Sequence, residues 1–197
     1  MQALLRSARF IDGINTAIGR SVVWLILAAT LISAGNALIR YTLDISSNAW
    51  LELQWYLFSA VFLLAAPYTL LKNEMVRIDV VAGHLSRRTQ VWIDVVGTLL
   101  FLLPMALLIA VLSWPGFVQA LERQEVSSNA GGLMVWPARA LIPLGFALLA
   151  LQGVSELIKR VAFLAGRGPD PGAQGREKTA EELLAQDIAR GREDAAP

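Results

Sequence analysis

The chain contains no cysteine. Disulfides, thiolate zinc sites, iron–sulfur clusters and cysteine nucleophiles are therefore excluded. Histidine is nearly as scarce: His84 stands alone and cannot supply the paired axial ligands of a haem held inside a helix bundle. Charged residues make up 17% of the 197 positions, against about 25% in soluble domains. The net charge of +1 leaves no basic field to hold nucleic acid. There is no glycine-rich phosphate loop with its lysine, so ATP drives nothing from this chain. The Gly-x-Ser-x-Gly motif and intramembrane Ser–His or Asp–Asp protease pairs are missing as well, which argues against an enzyme.

What the chain has instead is apolar sequence in long blocks. Apolar residues reach 55% and the mean hydropathy is +0.52. Ser21 to Ile39, Leu53 to Leu71 and Val95 to Leu121 carry no charge, and Ala140 to Ser155 extends in both directions to spanning length. About 20 apolar residues at 1.5 Å each cross the hydrocarbon core as a helix. The pattern predicts an all-α membrane protein with four transmembrane helices, at about 21–42, 49–71, 91–114 and 137–160. An amphipathic arm over 1–20 precedes this 21–165 domain, and a tail over 166–197 follows it. Gly35-Asn36-Ala37 resembles a signal cleavage site, but the apolar block is too long and the arm before it too large, which fits an uncleaved anchor.

Lysine and arginine set the orientation. Fourteen lie in the arm, the loop after span two and the C-terminal segment; only Arg40, Arg123 and Arg139 lie on the other side. That places both termini in the cytoplasm. Trp24 and Trp92 fall near the cytoplasmic ends of their spans, and Trp50, Trp114 and Trp136 near the outer ends, as belt anchors do. In the arm, Leu4, Leu5, Ala8, Ile11, Ile14 and Ile18 recur at helical spacing, predicting an interfacial helix. Val76, Val80, Val81 and Leu85 suggest a second short surface helix in the cytoplasmic loop. Beyond Gly166, glycine and proline mark a flexible linker, and Thr179 with Glu182 has capping-box spacing ahead of a tail that is either a short helix or frayed.

Charges inside a span are functional candidates by default. Glu156 stands three and four residues before Lys159 and Arg160, the spacing of a snorkelling pair at a cytoplasmic end. Asp94 lies just inside span three, within reach of water or of Arg87 and Arg88. Glu52, one turn into span two, is either an ion or proton site or a carboxylate bonded to a neighbouring helix or subunit. Pro67, Pro104 and Pro143 each interrupt a span. Ala29, Ser33 and Ala37 form a small-residue face on span one, and Gly145 and Gly153 serve span four in the same way.

Several motifs, in order, carry a family resemblance over about residues 8–165. They are Glu52-Leu53-Gln54-Trp55-Tyr56-Leu57-Phe58, Tyr68-Thr69-Leu70-Leu71 and Glu74-Met75-Val76-Arg77-Ile78-Asp79-Val80. Trp92-Ile93-Asp94, Gly97-Thr98, Glu125-Val126-Ser127, Gly131-Gly132-Leu133 and Trp136-Pro137 follow, then Ile142-Pro143-Leu144-Gly145-Phe146 and Leu151-Gln152-Gly153. The sequence resembles the small membrane (DctQ-type) subunit of tripartite ATP-independent periplasmic (TRAP) transporters, departing from it at Met75 and Met134. The resemblance implies a non-catalytic subunit in a bacterial inner membrane. Its partners would be a large multispanning permease, a periplasmic substrate-binding protein and membrane lipids. The importer would be sodium-coupled and take up carboxylate-type small molecules. Sodium and substrate would bind in the large subunit, leaving this chain without cofactor, metal or substrate site. By the same resemblance, Glu125, Ser127, Gly131, Gly132 and Trp136 would face the binding protein, Arg77 and Asp79 would organise the cytoplasmic loop, and Glu52, Trp55 and Asp94 join them as partner-interface candidates. The competing expectation is a self-contained carrier or channel acting as a homo-oligomer, with Glu52 and the proline kinks as its machinery.

Overall fold

The computed structural model describes residues 2–44, 47–74, 85–166 and 168–169. Among them, regular structure is helical apart from one isolated β-bridge. Four helices are long and apolar enough to cross a membrane: α1 (Gln2–Leu43), α2 (Asn48–Lys72), α3 (Arg87–Glu122) and α4 (Trp136–Leu164). They fall on the four expected spans. Helix α3 starts earlier than residue 91 because Ser86 caps it, its Oγ accepting from Thr89 N at 3.3 Å. It also runs past residue 114 to Glu122. Asn73 closes α2 with a left-handed φ of 58° and returns its N–H to the last turn.

The arm and the first span are one unbroken helix of 42 residues. Its packing face is Ala8, Asn15, Gly19, Val22 and Ala29, the three-and-four spacing of one helix side. The apolar stripe expected to lie on the membrane surface is not this face. Leu4 and Ile14 are exposed, and so is Phe10, while Ala8 alone of that stripe is fully buried. The side that packs is the one carrying small and polar residues, because α4 approaches it at Ala8 and Asn15 and Tyr68 of α2 approaches it at Gly19.

Helix α4 is central, packing on α1, α2 and α3, whereas α3 packs almost solely on α4. Accordingly 39% of the most apolar stretch of α4 is buried, against 6–17% in the other three. The result is a cluster in which α1, α2 and α4 pack on one another and α3 attaches along α4. Small residues allow the close approaches. A side chain at Gly19 would overlap the Tyr68 ring, and a Cβ at Gly153 would stand 2.7 Å from Leu102 Cδ2. Ala29 is fully buried and Ser33 accepts from Gln54 Nε2 at 3.1 Å, so most of that small-residue face is used within the chain, whereas Ala37 is exposed.

At Gly145 the closeness has a further cause. Pro67 has no N–H to give the carbonyl of Leu63 four residues earlier. A Cβ at Gly145 would lie 2.8 Å from Leu63 Cβ and 3.0 Å from that carbonyl oxygen. Glycine therefore lets the α4 backbone come close over the freed acceptor. Replacing Gly145 by valine should push α2 and α4 apart and cost about 1–3 kcal/mol. A lower melting temperature of the purified protein would register it; an unchanged one would show that the contact is loose.

A clamped hairpin and a buried polar layer

Between α3 and α4 the chain forms a short hairpin. Val126 and Met134 are bridged in antiparallel fashion. Ser127 N donates to Leu133 O and Val135 N to Glu125 O, both at 2.9 Å. The turn closes where Gly132 N donates to Asn129 O at 2.9 Å, with Gly131 at φ +71°, a conformation that suits glycine. Gly132 is required for another reason: a Cβ there would sit 2.6 Å from Ser127 Cβ.

Three residues of α2 hold this hairpin. Asn48, Glu52 and Tyr56 follow one another at four-residue spacing and so share a helix side. Asn48 Nδ2 donates to Ala130 O at 3.1 Å, and Tyr56 OH to Met134 O at 3.1 Å. Between them the Glu52 carboxylate accepts from Ser127 Oγ, from Asn129 Nδ2 at 2.7 Å and from Leu133 N at 2.7 Å. Glu52 is thus a carboxylate bonded to a neighbouring element of its own chain. Behind the hairpin Arg139 grips Glu125 with both terminal nitrogens, at 2.7 and 2.9 Å, and reaches Gly116 O at 3.4 Å. The pair is more than a third exposed, so its value lies in fixing how the ends of α3 and α4 meet more than in stability.

At the other end of the helices lies a polar layer. Asn15 Nδ2 donates to Gln152 Oε1 at 2.7 Å, and Gln152 Nε2 to Asp12 Oδ1 at 3.0 Å and Glu156 Oε1 at 3.2 Å. Ser155 Oγ donates to Asp12 Oδ1 at 2.7 Å. Lys159 bridges Asp12 and Glu156, and Arg160 bridges Glu156 at 2.5 Å and Asp94 at 3.3 Å. The layer ties α1, α3 and α4 together. Glu156 pairs with Lys159 and Arg160 as their spacing predicts, but the group does not snorkel: Glu156 and Arg160 are 4% and 5% exposed. The Asp94 carboxylate, expected within reach of water or of Arg87 and Arg88, accepts from Arg160 of α4.

Of the sequence-predicted site residues, the structure brings together Glu52, Ser127 and Gly132, places Gly131 in the turn, pairs Glu125 and starts α4 at Trp136. Trp55 is exposed on α2, away from the hairpin contacts, and Asp94 belongs to the other end. Arg77 and Asp79 lie outside the described residues. Sequence reasoning missed Asn48, Tyr56, Asn129 and Arg139, and the α1 members Asp12 and Asn15. The repeat of polar residues at 48, 52 and 56 on an apolar helix is the signal that marks the first two.

Chemically both clusters bind parts of the chain to each other. Their carboxylates are committed to donors of the same molecule, and among the described residues no group of three or more acidic or histidine side chains could hold a metal. Such an architecture defines a multi-pass helical membrane protein with large exposed apolar faces. A family model described as the DctQ component of tripartite ATP-independent periplasmic transporters matches residues 19–163. The chain belongs to that family, and is a component of a TRAP transporter. No curated protein and no solved structure matches it.

Proposed function

We propose that the chain is the small permease subunit of a sodium-coupled, binding-protein-dependent importer of carboxylate-bearing small molecules. It is non-catalytic: it belts and steadies the scaffold of the large transport subunit, which carries substrate and sodium, and it helps dock the periplasmic binding protein. The observation that supports this best is that four carboxylates inside the helices, Asp12, Glu52, Asp94 and Glu156, are each engaged by donors of the same chain. A carrier needs groups that exchange partners with its cargo, and a scaffold needs groups that do not. The distribution of lysine and arginine supports an inner-membrane orientation with both termini cytoplasmic, which puts the clamped hairpin on the periplasmic side. Membrane lipids cover the remaining apolar surface. A tagged chain drawn from its native membrane in mild detergent should bring down one large multispanning protein in equal amount. Recovery as a homo-oligomer alone would contradict the proposal.

A further inference from the structure

Helix α3 carries a defect that its own chain leaves open. A π-turn over Thr98–Leu102 stands directly before Pro104. Leu103 N donates to Thr98 O, and the α-helix resumes at Leu103. The carbonyls of 98 to 102 then face only the N–H groups of 103, 105 and 106, because proline has none. Two carbonyls between Leu99 and Phe101 therefore lack an intrahelical donor, and among the described residues no side chain donates to them. Pro115 repeats the effect eleven residues later, freeing the carbonyl of Val111. Eleven residues are three helical turns, so both defects share one side of α3.

That side faces outward. Leu100, Phe101, Met105, Leu108 and Val111 are exposed large apolar residues, and Pro104 lies among them, also exposed. The contrast with Pro67 is direct: there the freed carbonyl is covered by the close approach of Gly145. Leu100 is six residues, about 9 Å, beyond the Asp94 ion pair toward the middle of the helix. At that depth hydrocarbon chains offer no donor, and a bare carbonyl is costly.

We infer that this stripe of α3 is the seat of a membrane-spanning helix of the large permease subunit, one that brings a hydrogen-bond donor to the freed carbonyls near Leu100. The inference rests on the subunit reading above. Polar contacts between membrane helices are individually modest, so the donor fixes register while the apolar stripe provides the contact area.

Photo-reactive benzoylphenylalanine placed at Phe101 or Leu108 of the tagged chain, in membranes holding the complete transporter, should crosslink to the large subunit. The same probe at Trp24 of α1 or Phe62 of α2 supplies the comparison. Pro104→Ala restores an N–H, so it should leave the isolated chain at least as stable while weakening association with the large subunit about threefold to tenfold. Crosslinks to the large subunit from Trp24 or Phe62 but not from α3 would overturn the inference. So would α3 crosslinks to lipid alone, or an unweakened complex with Pro104→Ala. These outcomes leave the subunit reading intact, because the large subunit still co-purifies. Failure of the unmodified chain to recover a large subunit would overturn both.

Discussion

Replacing Glu52 by glutamine should free the hairpin between α3 and α4 while leaving the four helices in place. The carboxylate accepts three hydrogen bonds from the hairpin, two from side chains and one from the Leu133 backbone. Glutamine has one acceptor oxygen and turns an NH2 group toward donors, so at least one of the three is left facing another donor. Charge-assisted bonds are also roughly twice as strong as neutral ones. On the α2 side the intact contacts would then be those of Asn48 and Tyr56, each a single hydrogen bond. Amide exchange at Ser127, Leu133 and Val135 should accelerate about tenfold or more, because local opening no longer breaks the carboxylate contacts. Helical amides at the level of Gly145 should be unaffected. Exchange in the hairpin unchanged by the substitution would show that the turn at Gly131 holds the loop without Glu52. Since the proposed docking surface is this hairpin, the same variant should bind the periplasmic protein more weakly yet keep its large partner.

Removing the Arg160 side chain should have the largest effect on stability. Its guanidinium bonds Glu156 at 2.5 Å and Asp94 at 3.3 Å while only 5% exposed. Arg160→Leu leaves the inward-facing carboxylate of Glu156 with Lys159 and Gln152 only, and strips one donor from Asp94. Breaking a buried pair from one side costs about 3–5 kcal/mol because an uncompensated charge stays behind. Thermal unfolding of the purified protein should report a clear drop for Arg160→Leu. The double variant Glu156→Leu, Arg160→Leu should recover much of it, since both charges leave together. Equal melting of the single variant and the parent would mean that water reaches the layer and the pair contributes little.

The spans are legible in the sequence because bilayer thickness dictates their length and hydrocarbon excludes charge from them. Ser21 to Ile39 and Leu53 to Leu71 need no further information to be read as helices that cross. Which side of each helix packs is much less legible. In water the apolar side of a helix seeks the core, but in a bilayer apolar residues such as Phe10 and Leu4 lose little by facing outward. The packing side of α1 is therefore marked by Ala8, Asn15 and Gly19, residues that read as unremarkable on a hydropathy profile.

Partners are less legible still. Asn15 meets Gln152 across 137 residues, and Asp12 meets Ser155 across 143. No local spacing encodes such pairs. Glu52 stood out because a lone carboxylate in an apolar run demands a partner, yet its donors come from a hairpin whose shape depends on the backbone at Gly131. For Glu156 and Arg160 the local spacing marks the ion pair, but it says nothing of the Asp94 that joins them from α3.

As proposed, this chain shapes a transporter and moves nothing itself. Reconstitution into sodium-loaded and sodium-free vesicles tests it, with uptake of radiolabelled carboxylates followed for four preparations: this chain alone, the large subunit alone, the two together, and the two with Glu52→Gln, each supplied with the binding protein. No uptake is expected from the chain alone, and sodium-driven uptake from the pair. With Glu52→Gln the uptake would be slower but would depend on sodium as steeply as before. Uptake by the chain alone, or loss of sodium dependence in an assembled Glu52→Gln complex, would contradict it.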